Sequence, residues 1–358
     1  MKITRLILLF MVYLLFSCEK DESEPKPFYT NKILKGITCE VYGKETGLHD
    51  DFITCITIDK QNNKWIGTYS NGIAKFDGLG WEIFNTSNSG LANDSIEEIT
   101  FDRNGILWIA TKKSGLVKFN GSEWVIYKDA DFPGLNNKIR SIAVGMDNVK
   151  WIAYGHFEEG GLVKFDDTNW TLFTPENSVL PSSIIDQIHV DKDNRIWACT
   201  HGGLVSIQNG QWTVFNKDNT IMPYNWIWDI SSDSHGNIWV GSNALLSSKD
   251  DAGTLLRFDG KYWYENKPSE SGKSSNSVNS IVTDNWGNIW VATGVGSTYE
   301  QSFGDQISMF NGQKWFVLSD LDPTFPNTFV LDMIVDQENV LWIGGISVGL
   351  IKIEMEYE

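Results

Sequence analysis

Seven tryptophans, Trp65, Trp108, Trp151, Trp197, Trp239, Trp290 and Trp342, follow one another at intervals of 43, 43, 46, 42, 51 and 52 residues, each inside the same local pattern. A period of this length means that one supersecondary unit recurs. A unit too small to bury its own apolar face must stack on its neighbours. At 358 residues the chain has room for two or three unrelated domains, but the repeat replaces that reading with a single array.

Each unit opens on apolar residues three apart, as at Ile96 and Ile99, Ile185 and Ile188, or Ile227 and Ile230, and three positions later comes aspartate. These are Asp59, Asp102, Asp191, Asp233, Asp284 and Asp336, with Gly145 standing in for the third unit. Three residues further on each unit has Asn62, Gly105, Asn148, Asn194, Gly236, Gly287 or Asn339. Asn and Gly tolerate positive φ and an Asp carboxylate accepts hydrogen bonds from turn backbone, so the pair predicts a tight hairpin. The tryptophan strand follows, as in Trp65-Ile66-Gly67-Thr68, with a small residue two places after the ring; the small residue is read as room for a ring of the neighbouring sheet. A third strand such as Leu116-Val117-Lys118-Phe119 ends in Asp77-Gly78, Asn120-Gly121, Asp259-Gly260 or Asn311-Gly312, dipeptides that favour type I′ hairpins. Trp81, Trp124, Trp170, Trp212, Trp263 and Trp315 start a fourth.

Four short antiparallel strands per unit are what one propeller blade needs, and the predicted fold is all-β, a seven-bladed β-propeller of four-stranded antiparallel blades. Abundant glycine (32 residues), 13% aromatics and only 21% charged residues suit many tight turns around a large aromatic core. The fourth strand has only six copies after its own unit, and the missing one lies at the front. Gly36 to Tyr42 aligns with Gly121 to Tyr127, with Cys39 in the place of Trp124. This N-terminal strand, at about 36–42, is expected to close the last blade and so remove an open edge.

Residues 1–17 read as a signal peptide: Lys2 and Arg5 precede an apolar run of eleven residues, Leu6 to Phe16. Spanning a bilayer takes roughly 20 residues, so the run is too short to cross. Leu15-Phe16-Ser17-Cys18 resembles the lipobox of bacterial lipoproteins, which implies that Cys18 becomes the acylated mature N-terminus; an ordinary secretory signal is the alternative. Residues 18–29 read as a disordered tether before a propeller at 30–358. Its acidic run resembles the surface-export signal of some Gram-negative lipoproteins, against the plainer reading of a solvated spacer. The expected location is the outer membrane of a Gram-negative bacterium, on either face. Loss of Lys2 and Arg5 would take the net charge from −17 to −19, which excludes nucleic acid as a partner. Cys39, Cys55 and Cys199 fall in predicted strands at spacings of neither disulfides nor metal sites, and are expected as free thiols.

At Asp233 to Gly241 and at Gly115-Leu116-Val117-Lys118-Phe119-Asn120-Gly121 the sequence resembles the two-component regulator propeller repeats. The resemblance covers about residues 36–353. It implies a sensor-type, extracytoplasmic propeller that recognises a small molecule, a glycan or a partner protein. Family sensors pair such propellers and add a β domain, a membrane helix and a kinase; with one propeller read here, transmembrane signalling is not carried over.

In a propeller the fourth-to-first and second-to-third loops share one face and surround the channel mouth. Those loops are where this chain departs from its own repeat. The second-to-third loops are long at 154–160, 243–253 and 294–305, and carry Tyr154, His156, Phe157, Glu158, Lys249, Asp250, Tyr299 and Phe303. His49, Asp50, Asp51, Tyr224 and Trp226 come from the other set, and Trp226 and Trp228 have no aromatic counterpart at most equivalent positions. Ligand-binding candidates are Tyr69, Tyr154, His156, His201, Tyr224, Trp226 and Tyr299, because aromatics beside Asp, Asn and His suit stacking on sugar rings with hydrogen bonds to hydroxyls. Packing is the competing role for Trp226 and, more strongly, for Trp228.

Metal and cofactor are not expected: each aspartate turn offers one carboxylate against the roughly six to eight oxygens calcium takes. Streptogramin-type lyases are similar propellers with histidines, a glutamate and magnesium at the mouth, and His156, Glu158 and His201 lie on loops that reach it. No spacing makes that specific, and His49, His189 and His235 are scattered elsewhere. No nucleophile elbow or phosphate loop is present. A binding or sensing propeller ranks first, a protein-interaction or structural surface lipoprotein second, and a metal-dependent lyase third.

Overall fold

The computed structural model describes residues 34–128, 131–132, 139–156, 159–242, 253–271, 276–294 and 306–358, with His156 and Glu159 described by backbone alone. Seven four-stranded antiparallel sheets follow one another along the chain, each pairing its strands in simple order except one. That exception is the closure: Leu34–Tyr42 pairs with Leu350–Tyr357, which pairs with Leu341–Ile346 and then Phe329–Val335. The register sets Cys39 opposite Ile353 and Tyr42 opposite Leu350, so both ends of the chain share blade 7. Signal peptide, Cys18 and tether lie outside the described residues.

The seven turns, six of them Asp-x-x-Asn/Gly and one opened by Gly145, have the predicted geometry. Asn62, Gly105, Asn148, Asn194, Gly236, Gly287 and Asn339 all have φ between +57° and +88°. In blade 5, Asp233 Oδ1 accepts the N–H groups of His235 and Asn237 at 3.0 and 2.9 Å. Its second oxygen accepts the indole N–H of Trp239 at 3.0 Å. The same Asp–Trp bond, at 2.9 to 3.2 Å, joins Asp59 to Trp65, Asp102 to Trp108, Asp191 to Trp197, Asp284 to Trp290 and Asp336 to Trp342. A buried indole N–H needs an acceptor, and one carboxylate therefore ties the turn to the ring it positions. Blade 3 has no such bond because Gly145 carries no carboxylate, and a Cβ there would meet Asp147 Oδ1 at 2.4 Å.

Two local expectations are corrected. Where the small residue two places after the tryptophan is glycine, it admits an aliphatic side chain of the next blade's inner strand, not an aromatic ring. A Cβ on Gly67 would meet Ile96 at 2.7 Å, one on Gly241 would meet Val278 at 2.6 Å, and one on Gly344 would meet Ile53 at 2.4 Å. The third-to-fourth hairpins at Gly78, Gly121, Gly260 and Gly312 have positive φ at the glycine but not at the preceding Asp or Asn. That is the type II′ pattern; only Asn209-Gly210, with both residues positive, fits type I′.

On the face formed by the first-to-second hairpins, neighbouring blades are laced together. Asn148, Asn194 and Asn339 each accept a backbone N–H from the preceding blade, of Arg103, Met146 and Asn285, at 2.7 to 2.9 Å, and Asn62 accepts that of Gln337 at 3.4 Å. Where glycine holds that position, at Gly105 and Gly236, a lysine of the preceding blade crosses instead: Lys60 Nζ donates to Arg103 O and Lys192 Nζ to Ser234 O.

Candidate functional site

The inner strands position the site. Each of six pairs with its neighbour through a register shift at its second or third residue, leaving Thr54, Glu97, Arg140, Asp186, Asn279 and Leu331 as the extra residue of a β-bulge. Ile96 and Ile99, three apart, can both be buried only because the bulge between them restores the facing. In blade 5 the equivalent residue is Trp228, whose N–H donates to Gly241 O at 2.8 Å. Bulges at a barrel or propeller rim re-aim side chains, and here they turn one residue per blade towards the channel mouth.

Asp186 is the hub. Its Oδ2 accepts the indole N–H of Trp226 at 2.8 Å and lies 3.0 Å from His201 Nε2. Arg140 Nη2 sits 2.6 Å from its Oδ1, an ion pair without a well-aligned hydrogen bond, since that oxygen counts no hydrogen-bond partner. The Asp186 side chain is only 6% exposed, against 34% for Arg140 and 25% for His201. A buried carboxylate thus serves groups that water and ligand can reach. The His201 ring packs on Trp226 at 4.1 Å between centroids, and Trp228 lies 6.0 Å from Trp226.

The arc continues on the other side of Arg140. Glu97 feels both Arg140 and Lys112, which oppose the burial that raises its carboxyl pKa. Lys112 Nζ lies 3.9 Å from Glu97 and 4.4 Å over the Tyr69 ring, and Tyr69 stacks on Phe52 at 4.6 Å. The loops are pinned by backbone bonds from Tyr69, Lys112 and His201 to Phe52, Ser95 and Ile184. Contacts therefore run from Phe52 to Glu97 across blades 1 and 2 and from Arg140 to Trp228 across blades 3 to 5, the charges of Glu97 and Arg140 linking the two stretches.

Below the mouth, Glu98, Asp229 and Asp332 come from blades 2, 5 and 7. Asp332 accepts the Ile56 N–H and Asp229 the Ile281 N–H, at 2.7 and 2.6 Å, each bond crossing to the next blade. Burial pushes Asp229 and Asp332 up to about 7 and Glu98 well above the carboxylate range, and mutual repulsion adds to the effect on Glu98 and Asp332. Among the described residues no group of three His, Cys, Asp or Glu side chains is arranged to hold a metal.

Of the predicted residues, Tyr69, His201 and Trp226 belong to the arc. Tyr224, 43% exposed, stands two residues before Trp226. Tyr154 is corrected: the second strand of blade 3 runs on through Lys150–His156 instead of ending before a loop, and Tyr154 is buried in the core beside Ile139 and Leu116. The His156 backbone belongs to that strand; its side chain, with Phe157, Glu158, Lys249, Asp250, Tyr299 and Phe303, lies outside what is described. His49 is exposed, Asp51 pairs with Lys44, and Asp50 clamps its loop by accepting from Phe52 N–H, Ser70 N–H and Ser70 Oγ. His189 is bonded to Ser232 Oγ and held neutral, burial pushing it down to about 4. Arg140, Asp186, Glu97 and Lys112 were missed. The signal was present: apolar residues three apart in a strand announce a bulge, and the residues between them are Glu97, Arg140 and Asp186.

Residues 221–244 and 272–294 match the family model of the two-component regulator propeller and carry that repeat. No curated protein matches the chain in sequence. Solved structures share the fold. The extracellular domain assigned to the hybrid two-component system BT3049 of B. thetaiotaomicron is 20% identical over 88% of this chain, with a TM-score of 0.68. This chain spans 41% of the length of that one. A catalytically inactive virginiamycin B lyase of Staphylococcus aureus with quinupristin is 12% identical, covering 89% of this chain and 100% of its own, with a TM-score of 0.68. YCF48 bound to D1 peptide is 13% identical, covering 88% and 96%, with a TM-score of 0.62. At such identities the likeness is one of fold.

Proposed function

We propose that this propeller is an extracytoplasmic ligand-binding module of sensor type that takes a glycan or another small molecule at its channel mouth. The observation that carries the reading is the arc from Phe52 and Tyr69 through Lys112, Glu97, Arg140 and Asp186 to His201 and Trp226. The exposed Tyr69 and the partly exposed Trp226 supply apolar contact area, and a few fixed polar groups supply orientation, the composition expected of a small-molecule site. The repeat family and the extracellular propeller of BT3049 support an extracytoplasmic place.

The reading extends to the front of the chain. Cys18 carries the lipid anchor, residues 18–29 hold the disc off an outer membrane, and the module acts by binding without catalysis. Metabolic labelling with an acyl chain, lost on Cys18→Ala, tests the anchor. A thermal-shift panel of oligosaccharides and small metabolites tests the site: ligand stabilisation that disappears in Trp226→Ala supports it, and a shift unchanged in Trp226→Ala and Arg140→Ala contradicts it.

A further inference from the structure

The hydrogen bonds of Asp186 fix more than its own place. Trp226 Nε1 can only donate and the Arg140 guanidinium has only donors, so both oxygens of Asp186 face groups that need an acceptor. His201 Nε2, 3.0 Å from the oxygen that Trp226 meets, must then carry the proton. In the neutral ring this leaves Nδ1 as a lone pair, and no hydrogen bond to it is made among the described residues. Arg140, a third exposed, keeps N–H groups beyond the one that meets Asp186. An acceptor and a set of donors are thus fixed on either side of one buried carboxylate, with the Trp226 ring packed against His201.

Charge narrows the partner further. The cations of the arc, Lys112 and Arg140, each lie against a carboxylate, Glu97 and Asp186, so the described arc is balanced on a chain whose net charge is −17. Within this described arc neither cation is left without a countercharge. A pair of hydroxyls on adjacent carbons, one donating and one accepting, matches what is offered.

We infer that the mouth binds a neutral polyol, with adjacent hydroxyls bridged between His201 Nδ1 and the Arg140 guanidinium and a sugar face against Trp226, and that Asp186 is the positioning residue that makes this possible. The inference rests on the ligand-binding reading of the mouth and names its chemistry. Asp186→Asn is the discriminating change, because an amide keeps one acceptor oxygen and must turn its NH2 either to Arg140 or to Trp226 and His201, which themselves donate.

The test uses the full chain with three matched sets of oligosaccharides: neutral xylo-, arabino- and galacto-oligosaccharides, oligogalacturonates, and glucosamine oligomers. Calorimetric titration should give binding to a neutral member, weakened about tenfold to a hundredfold by Asp186→Asn, in line with loss of hydrogen bonds to charged groups, and partly restored by Asp186→Glu. A deoxy analogue of the bound sugar should bind more weakly to the wild type, and His201→Ala should erase that discrimination at one hydroxyl position. Preferential binding of the uronate or amino-sugar set, or deoxy discrimination unchanged in His201→Ala, overturns this inference while the mouth remains a ligand site. Binding by no member of any set, or binding untouched by Asp186→Asn, Trp226→Ala and Arg140→Ala together, overturns the mouth reading as well. If Asp186→Asn fails to fold, His201→Ala against the deoxy analogue decides alone.

Discussion

The two faces of the disc are built from the same strands and obey different rules. On the hairpin face six of the seven units repeat one device, an aspartate that closes a turn and holds a tryptophan, and asparagine or lysine laces blade to blade. At the mouth no two blades offer the same side chain: the bulge residues are Thr54, Glu97, Arg140, Asp186, Trp228, Asn279 and Leu331. Repetition is what closes a ring, since each interface must accept the same geometry. Recognition needs the reverse, a set of unlike groups at fixed points, and the bulges let one face vary without disturbing the other.

The comparison can be broken at several depths. The largest effect is expected from the closure: deleting residues 34–42 exposes the edge of Leu350–Tyr357 and should prevent cooperative unfolding by circular dichroism, whereas deleting 19–29 should leave the melting temperature unchanged. Trp239→Ala should cost about 3–5 kcal/mol in denaturant titrations, the range for truncating a buried aromatic side chain. Asp233→Ala should cost about 2–3 kcal/mol, because it leaves the Trp239 indole N–H and two turn amides without their acceptor. Both changes should preserve ligand binding wherever the protein still folds.

A smaller effect is expected from the channel. Asp229 and Asp332 have folded-state pKa values near 7, above the unfolded value, so the folded protein holds protons that the unfolded chain has released. Stability should therefore fall as pH rises from about 4 to about 7 through these groups, opposite to the trend of a salt-bridged carboxylate. Asp332→Asn should flatten that slope and raise the melting temperature at pH 8; an unchanged slope contradicts the assignment. The smallest effect on stability belongs to the mouth: Trp226→Ala and Arg140→Ala, at partly exposed positions, should each cost about 1 kcal/mol or less without ligand.

The frame was legible because its rules are local and repeated. Asp233, Gly236 and Trp239 specify turn, backbone conformation and wedge within seven residues, and other copies confirm the register. Closure was legible for the same reason, as the one copy displaced to the front. The indole bond to aspartate was not, since a turn residue and a ring six positions on meet only once the hairpin forms. At the mouth, Trp226 and His201 stood out as departures from the repeat, but Asp186 and Arg140 looked like ordinary strand residues. They meet across 46 residues of sequence, and only the bulge turns them inward. Tyr154 misled because the strand extends two residues past the place where other blades turn.

The central claim is that frame and recognition are separable. The direct measurement is ligand-induced thermal shift on wild type, Trp239→Ala and Trp226→Ala, with whichever compound of the panel stabilises the wild type. The account predicts that Trp239→Ala melts lower yet gains the same shift from ligand, while Trp226→Ala melts like the wild type and gains none. Loss of the shift in Trp239→Ala while it remains folded, with the shift kept in Trp226→Ala, would contradict it.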